Sequence, residues 1–328
     1  MNNKTLYNTI ALISPVFFIG FGYSRLFNIL GTNSYLAFII GIIIGYLIIK
    51  LYEVKKEKID FNNLKHPLLF KTIYITINTV ILIQAIFTLQ TFISSFYLIK
   101  SPTFFIMLPV FILLFFIKDT NKENISLLSC SLLPINFIFL IITIIGIYNK
   151  INITNFLPFT MPNYSNLIEG IVLVIAYTVT PYMMLCNFDT SKKLGNKYIL
   201  NSLHILVLGI TIISVLGNNL IKLYRYPEYM ILKNISIFNF ISKVENIISI
   251  SWVLILVYTS MISSFNVYNE IKRKKVFNIY LILIYFLSNI INYYYKYVSI
   301  VYKILPYIFM SFIITIIFYF FIETHHQD

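Results

Sequence analysis

Charge is scarce in this sequence. Asp, Glu, Lys and Arg supply 11% of its 328 residues while hydrophobic residues supply 59%, against roughly 25% and roughly 45–50% in an average soluble domain. A water-facing surface cannot be built from that composition. Acidic residues are the scarcest charged class, twelve in all. They fall at the ends of apolar runs or in connections, with Glu169, Glu245 and Glu270 placed to reach headgroups or water. No carboxylate is therefore expected at mid-membrane, where ion-driven transport usually keeps one.

Cysteine occurs only at Cys130 and Cys186, which excludes a disulfide framework and leaves two packing residues. His66, His204, His325 and His326 lack zinc-ligand spacing. No nucleophile elbow or phosphate loop is present, and Gly20-Phe21-Gly22 lacks the strand context of a nucleotide site. The sequence predicts no enzymatic activity, metal or cofactor.

Apolar runs, by contrast, recur from end to end, each near the roughly 20 residues that cross a hydrocarbon core of roughly 30 Å. They predict ten transmembrane helices near 7–28, 33–51, 70–98, 102–117, 126–148, 167–187, 198–221, 245–268, 277–295 and 301–322. One polytopic membrane domain then fills residues 1–328. The formal charge of +13 is spread over short connections, which speaks against nucleic acid and for a bilayer. Alternate segments from the N-terminus hold 16 of the 25 Lys and Arg, and the others hold eight. The positive-inside rule then puts both termini in the cytoplasm of a multi-pass cell-membrane protein.

Ten spans divide into a first repeat at about 7–148, an external connector at about 149–166 and a second repeat at about 167–322. With five helices in each, the second repeat runs inverted, the parity of a five-plus-five inverted-repeat (LeuT-like) fold. Such folds interrupt the first helix of each repeat. Span 1 carries Ser14-Pro15 and Gly20-Phe21-Gly22-Tyr23-Ser24, and span 6 carries Tyr177-Thr178-Val179-Thr180-Pro181. Pro removes a donor and Gly permits non-helical dihedrals, so these segments are either kinks or a site where freed backbone meets a ligand.

Two polar stripes accompany them. Gln84, Thr88, Thr91 and Ser95 share one face of span 3, while Glu245, Ser249, Trp252, Thr259, Ser263, Asn266 and Glu270 run along span 8. They either join helices or line a cavity. The candidate wall of a small-zwitterion site is Gly20, Gly22 and Tyr23 with Gln84, Thr88, Tyr177, Thr178, Thr180, Thr259 and Ser263. Half-helix N-termini there suit a carboxylate, and freed carbonyls suit an ammonium. Arg25 has three possible uses: snorkelling to the interface, pairing with Glu169, or meeting the ligand carboxylate. Glu245 and Trp252 begin their stripe at the external boundary and are read as assembly residues.

Three segments carry a family resemblance. They are Gly20-Phe21-Gly22, then Asn155-Phe156-Leu157-Pro158, and most specifically Tyr226-Pro227 with Phe240, Glu245 and Trp252. The chain resembles the endospore germination permease family, the B-type membrane subunits of nutrient germinant receptors within the amino acid/polyamine/organocation superfamily. It departs at Phe27, where a Pro usually closes the first motif, and at Thr178, Val179 and Pro181, where Gly, Gly and an acidic residue are common. The resemblance implies a sensor of an amino acid or similar nutrient, assembled with a channel-forming A-type subunit and a C-type lipoprotein in spore germination. Two other readings share the fold, a secondary transporter or facilitator for amino acids and a non-binding scaffold subunit.

Overall fold

In the computed structural model the described residues are 3–56, 59, 64–157, 161–187, 194–233 and 244–327. Pro158, Lys192, Lys193 and Phe240, used in the sequence reading, lie outside them. Among the described residues the chain is all helix and turn. The first part holds α1 (Asn3–Ile13), α2 (Tyr23–Leu30), α3 (Ser34–Lys56), α4 (Pro67–Phe96), α5 (Thr103–Phe116) and α6 (Lys122–Ile147). It continues with α7 (Tyr164–Met184), α8 (Leu194–Leu223), α9 (Pro227–Lys233), α10 (Val244–Ile271), α11 (Lys274–Tyr293) and α12 (Tyr295–Gln327).

Eight helical stretches among the described residues are long and apolar enough to cross a membrane. The first, Thr5–Lys56, takes in α1 to α3. Helix α5 has only 14 residues, roughly 21 Å at 1.5 Å per residue, so it is shorter than a full hydrocarbon core. Every segment expected to span falls on helix. Helix α9 falls between the expected spans 7 and 8. Pro227, Glu228, Tyr229, Ile231 and Leu232 are all buried, so it sits inside the bundle.

The polarity is that of a multi-pass membrane protein. On α3, Ile39, Ile43, Leu47, Leu51 and Val54 form an exposed apolar face; on α6, Ile138, Ile141 and Ile145 do the same. Asn78, Thr88, Gln90, Thr259, Ser260 and Ser263 are buried instead. Lipid gives helices no hydrophobic reason to associate, so close approach and interhelical hydrogen bonds must hold them. Gly41 and Gly45 provide the first, letting α3 lie against Val174 of α7 and Tyr198 of α8. The second joins α4 to α10, the most extensively packed pair. Asn266 Nδ2 donates to Asn78 Oδ1 at 2.9 Å at one end, and Tyr97 bonds Ser249 at the other.

Helix α8 is kinked at Gly217 (φ 68°). The connection after α6 caps the kink: Asn152 N–H and Asn155 Nδ2 both donate to Ser214 O, at 3.0 and 2.7 Å. Asn155 thus has a structural task in positioning the end of α8 and, beyond it, α9.

Candidate functional site

The first span is broken where its sequence demands it. Ser14 Oγ bonds back to Ile10 O at 2.8 Å and Pro15 supplies no N–H, so α1 tightens into a 3₁₀ turn over Ser14–Phe17. A wide turn over Phe18–Gly22 follows, in which Ile19 is extended (ψ 122°) and Gly20 is left-handed (φ 77°). A Cβ on Gly20 would stand 2.5 Å from Tyr226 Cε1. Gly22 has ordinary helical dihedrals; its Cβ would meet Phe17 O and Phe18 Cδ1 at 2.8 Å. Both glycines therefore let other groups close on the break.

The closing group is α9. Gly20 N–H donates to Glu228 Oε1 at 2.5 Å, and the ring beside Gly20 is fixed by a 2.7 Å bond between Tyr226 OH and Thr91 Oγ1. Glu228 is 2% exposed. Burial pushes its carboxyl up to about 8, against the opposing pull of the backbone N–H groups on it.

Above the break, a cleft of about 740 Å³ is bounded by Arg25, Glu169, Lys222, Arg225, Tyr302 and Lys303 together with Gly20 and Phe21. Four cations and one carboxylate give its wall a net positive charge. Arg25 pairs with Glu169 across the cleft. The Arg225 guanidinium lies 5.2 Å from the Phe21 ring and 5.6 Å from that of Tyr226. Phe21 stacks on Tyr302 with ring centroids 3.5 Å apart, and Phe87 leans on both rings at 6.0 and 5.4 Å. Behind that cluster a smaller apolar cavity of about 200 Å³ lies between α4, α11 and α12.

The residues predicted as one wall are divided among several places. Gly20 is on the cleft. Gln84 is on the apolar cavity, with neither amide atom partnered. Tyr23 donates to Ile205 O at 2.8 Å. Thr88, Thr180, Thr259 and Ser263 bond the carbonyl one turn back on their own helices. Thr178 bonds Val174 O and Tyr198 OH. Tyr177 is packed among Phe17, Phe18 and Phe309, its hydroxyl without a partner. The break expected at Tyr177–Pro181 is absent: α7 stays helical through Met184 with Pro181 inside it. One proline removes a single backbone donor, which does not by itself unwind a helix held by its neighbours.

Trp252 packs against Phe92 and Tyr229, and Glu245 is half-buried at the start of α10. Sequence reasoning missed Glu228 and Arg225, because residues 222–244 read as a connection and a connection shows no face. The only local signal is Tyr226-Pro227-Glu228 itself, a helix start with an acidic residue in its first turn. No family model matches the chain, and no curated protein matches it.

Proposed function

We propose that the chain is a cell-membrane protein that binds a small amino-acid-like ligand at the break in its first span, as the membrane subunit of a nutrient germinant receptor. The observation that carries this is the left-handed Gly20 in a membrane-crossing stretch, opening onto a cleft whose wall is net positive. Unwound backbone inside a membrane persists where it meets protein, water or a ligand. The N-terminus of α2, with about half a positive charge, and the cations of the cleft suit a carboxylate.

Ten crossings fit the helices. Thr5–Lys56 has 52 residues, roughly 78 Å as a single helix, more than twice a core of roughly 30 Å. It therefore turns back at Gly31–Asn33 and crosses twice, and α5 with its flanking turns supplies the tenth crossing. The charge asymmetry puts both termini in the cytoplasm and the cleft outside, facing arriving nutrient. A channel-forming A-type subunit and a C-type lipoprotein are the proposed partners, in the inner spore membrane of a sporulating organism. The buried Glu228 favours a second reading, a secondary transporter for amino acids, since a carboxyl buried without a counter-ion beside a broken span is a candidate coupling group.

The experiment is a thermal-unfolding screen of the purified chain against the twenty common amino acids, followed by uptake into proteoliposomes. A ligand at 100 times its Kd should stabilise by about 2.7 kcal/mol. Binding without flux supports the sensor, and flux supports the transporter. If no amino acid moves the transition, the ligand reading fails.

A further inference from the structure

Glu228 is placed where a charged carboxylate is poorly supported. Its Oε1 takes the Gly20 N–H, while its Oε2 is buried with no hydrogen-bond partner. No Lys, Arg or His among the described residues forms an ion pair with it. Beside it lies a partly open cavity of about 30 Å³, enough for one water, walled mostly by apolar side chains of α6, α8, α9 and α10. Asn136 and Thr143 of α6, His204 of α8 and Trp252 of α10 share that cavity with Glu228.

The other titratable groups near α9 are engaged elsewhere or uncharged. Arg25 of α2 is paired with Glu169, and Tyr23 of α2 donates its hydroxyl to Ile205 O. Arg225 lies over the Phe21 and Tyr226 rings. Glu245, at the start of α10, does not line the cavity. His204 is thus the one titratable base facing the cavity among the described residues.

We propose that Glu228 is a proton-binding site that latches α9 onto the broken first helix, the seated arrangement being the protonated one. A proton from bulk water goes to Oε2, and no other bond changes. The neutral carboxyl keeps its carbonyl oxygen on Gly20 N–H and donates its new O–H toward the few polar groups of a mostly apolar cavity, Asn136, Thr143 and His204. Loss of the proton leaves a buried charge held by backbone N–H groups alone, with no counter-ion, which is better solvated in the cleft. Its departure frees Gly20 N–H. That this donor then meets a ligand carboxylate rests on the function proposed above; the proton site does not.

The sign follows from the carboxyl being raised from about 4.5 to about 8 on burial. Protonation favours the seated form fully below the lower value, and the effect is lost as pH rises through the higher one.

Trp252 is the only tryptophan in the chain and borders the same cavity, so its fluorescence reports the site without any ligand. The test is a titration of the full chain in lipid nanodiscs from about pH 5 to about pH 9.5, below the main range of tyrosine ionisation. One transition at or below about pH 8 is expected, absent in Glu228→Gln and retained, with a shifted midpoint, in His204→Gln. A flat titration, a transition that survives Glu228→Gln, or one abolished by His204→Gln overturns the proposal. Should Glu228→Gln fail to fold, infrared difference spectra of the wild type decide. A protonated-carboxyl band must fade with the same midpoint, and a fluorescence change without it is equally fatal. An amino-acid screen that fails beside a successful titration removes the ligand reading alone, and the reverse pattern removes the proton site alone.

Discussion

Replacing Gly20 by alanine asks whether the break is held by geometry that only glycine satisfies. At φ 77°, a Cβ costs roughly 1–2 kcal/mol through its clash with the backbone. That Cβ would also lie 2.5 Å from Tyr226 Cε1. The ring cannot swing aside freely, because Thr91 holds its hydroxyl at 2.7 Å and Phe92 and Phe96 pack its faces and edge at 5.4 Å. Over-packing of this kind adds roughly 1–3 kcal/mol, so Gly20→Ala should destabilise by about 2–5 kcal/mol in total. The assay is reversible unfolding in mixed micelles for the wild type, Gly20→Ala, Tyr226→Leu and the double variant. Tyr226→Leu removes the clashing atom, so the double variant should recover the steric part with a coupling of about 1–3 kcal/mol. It should leave the backbone part unrecovered. A Gly20→Ala cost below about 0.5 kcal/mol, or strictly additive costs, would refute the reasoning.

Three other outcomes follow from the same contacts. Asn266→Ala should cost between about 0.6 and about 1.7 kcal/mol, and adding Asn78→Ala should cost little more, because each amide is the other's partner across α4 and α10; unfolding in mixed micelles reads both. Arg25→Gln and Glu169→Gln should show a coupling of about 1 kcal/mol that shrinks in high salt, since 15% and 32% of these side chains remain exposed; a coupling of zero would mean that the pair does not close the cleft. Lys275→Cys in the run 272–275 should resist an impermeant thiol reagent added to intact cells and react after permeabilisation; labelling from outside would invert the proposed topology.

Much of this architecture is legible in the sequence, because period and composition act locally. Apolar runs mark the helices, and Ser14-Pro15 with Gly20 marks the break, since a missing donor and a missing Cβ work wherever they stand. The stripe on α10 reaches α4 through Asn266, but its partner there is Asn78, which lies outside the expected α4 stripe. What the sequence could not show is which neighbour a face meets. Gln84 and Gly20 were read as one wall from helical spacing, yet one borders the apolar cavity and the other the cleft. Pro181 looked like a second break, but a proline removes a single donor and α7 runs helical through it. Glu228 was hidden more completely. Its burial is decided by a contact 208 residues away in sequence, and no periodicity in a seven-residue helix announces it.

The claim that a ligand occupies the cleft beside the broken helix is tested most directly at Ser24, which lines the cleft within one turn of Gly22. In a protein carrying Ser24→Cys with Cys130 and Cys186 replaced by serine, the rate of modification by a small charged thiol reagent is measured with and without each of the twenty amino acids. The account predicts that at least one of them slows the reaction at Ser24→Cys, with a saturable dose dependence, and leaves unchanged the rate at a control cysteine on the far end of α10. Uniform rates under all twenty would contradict it.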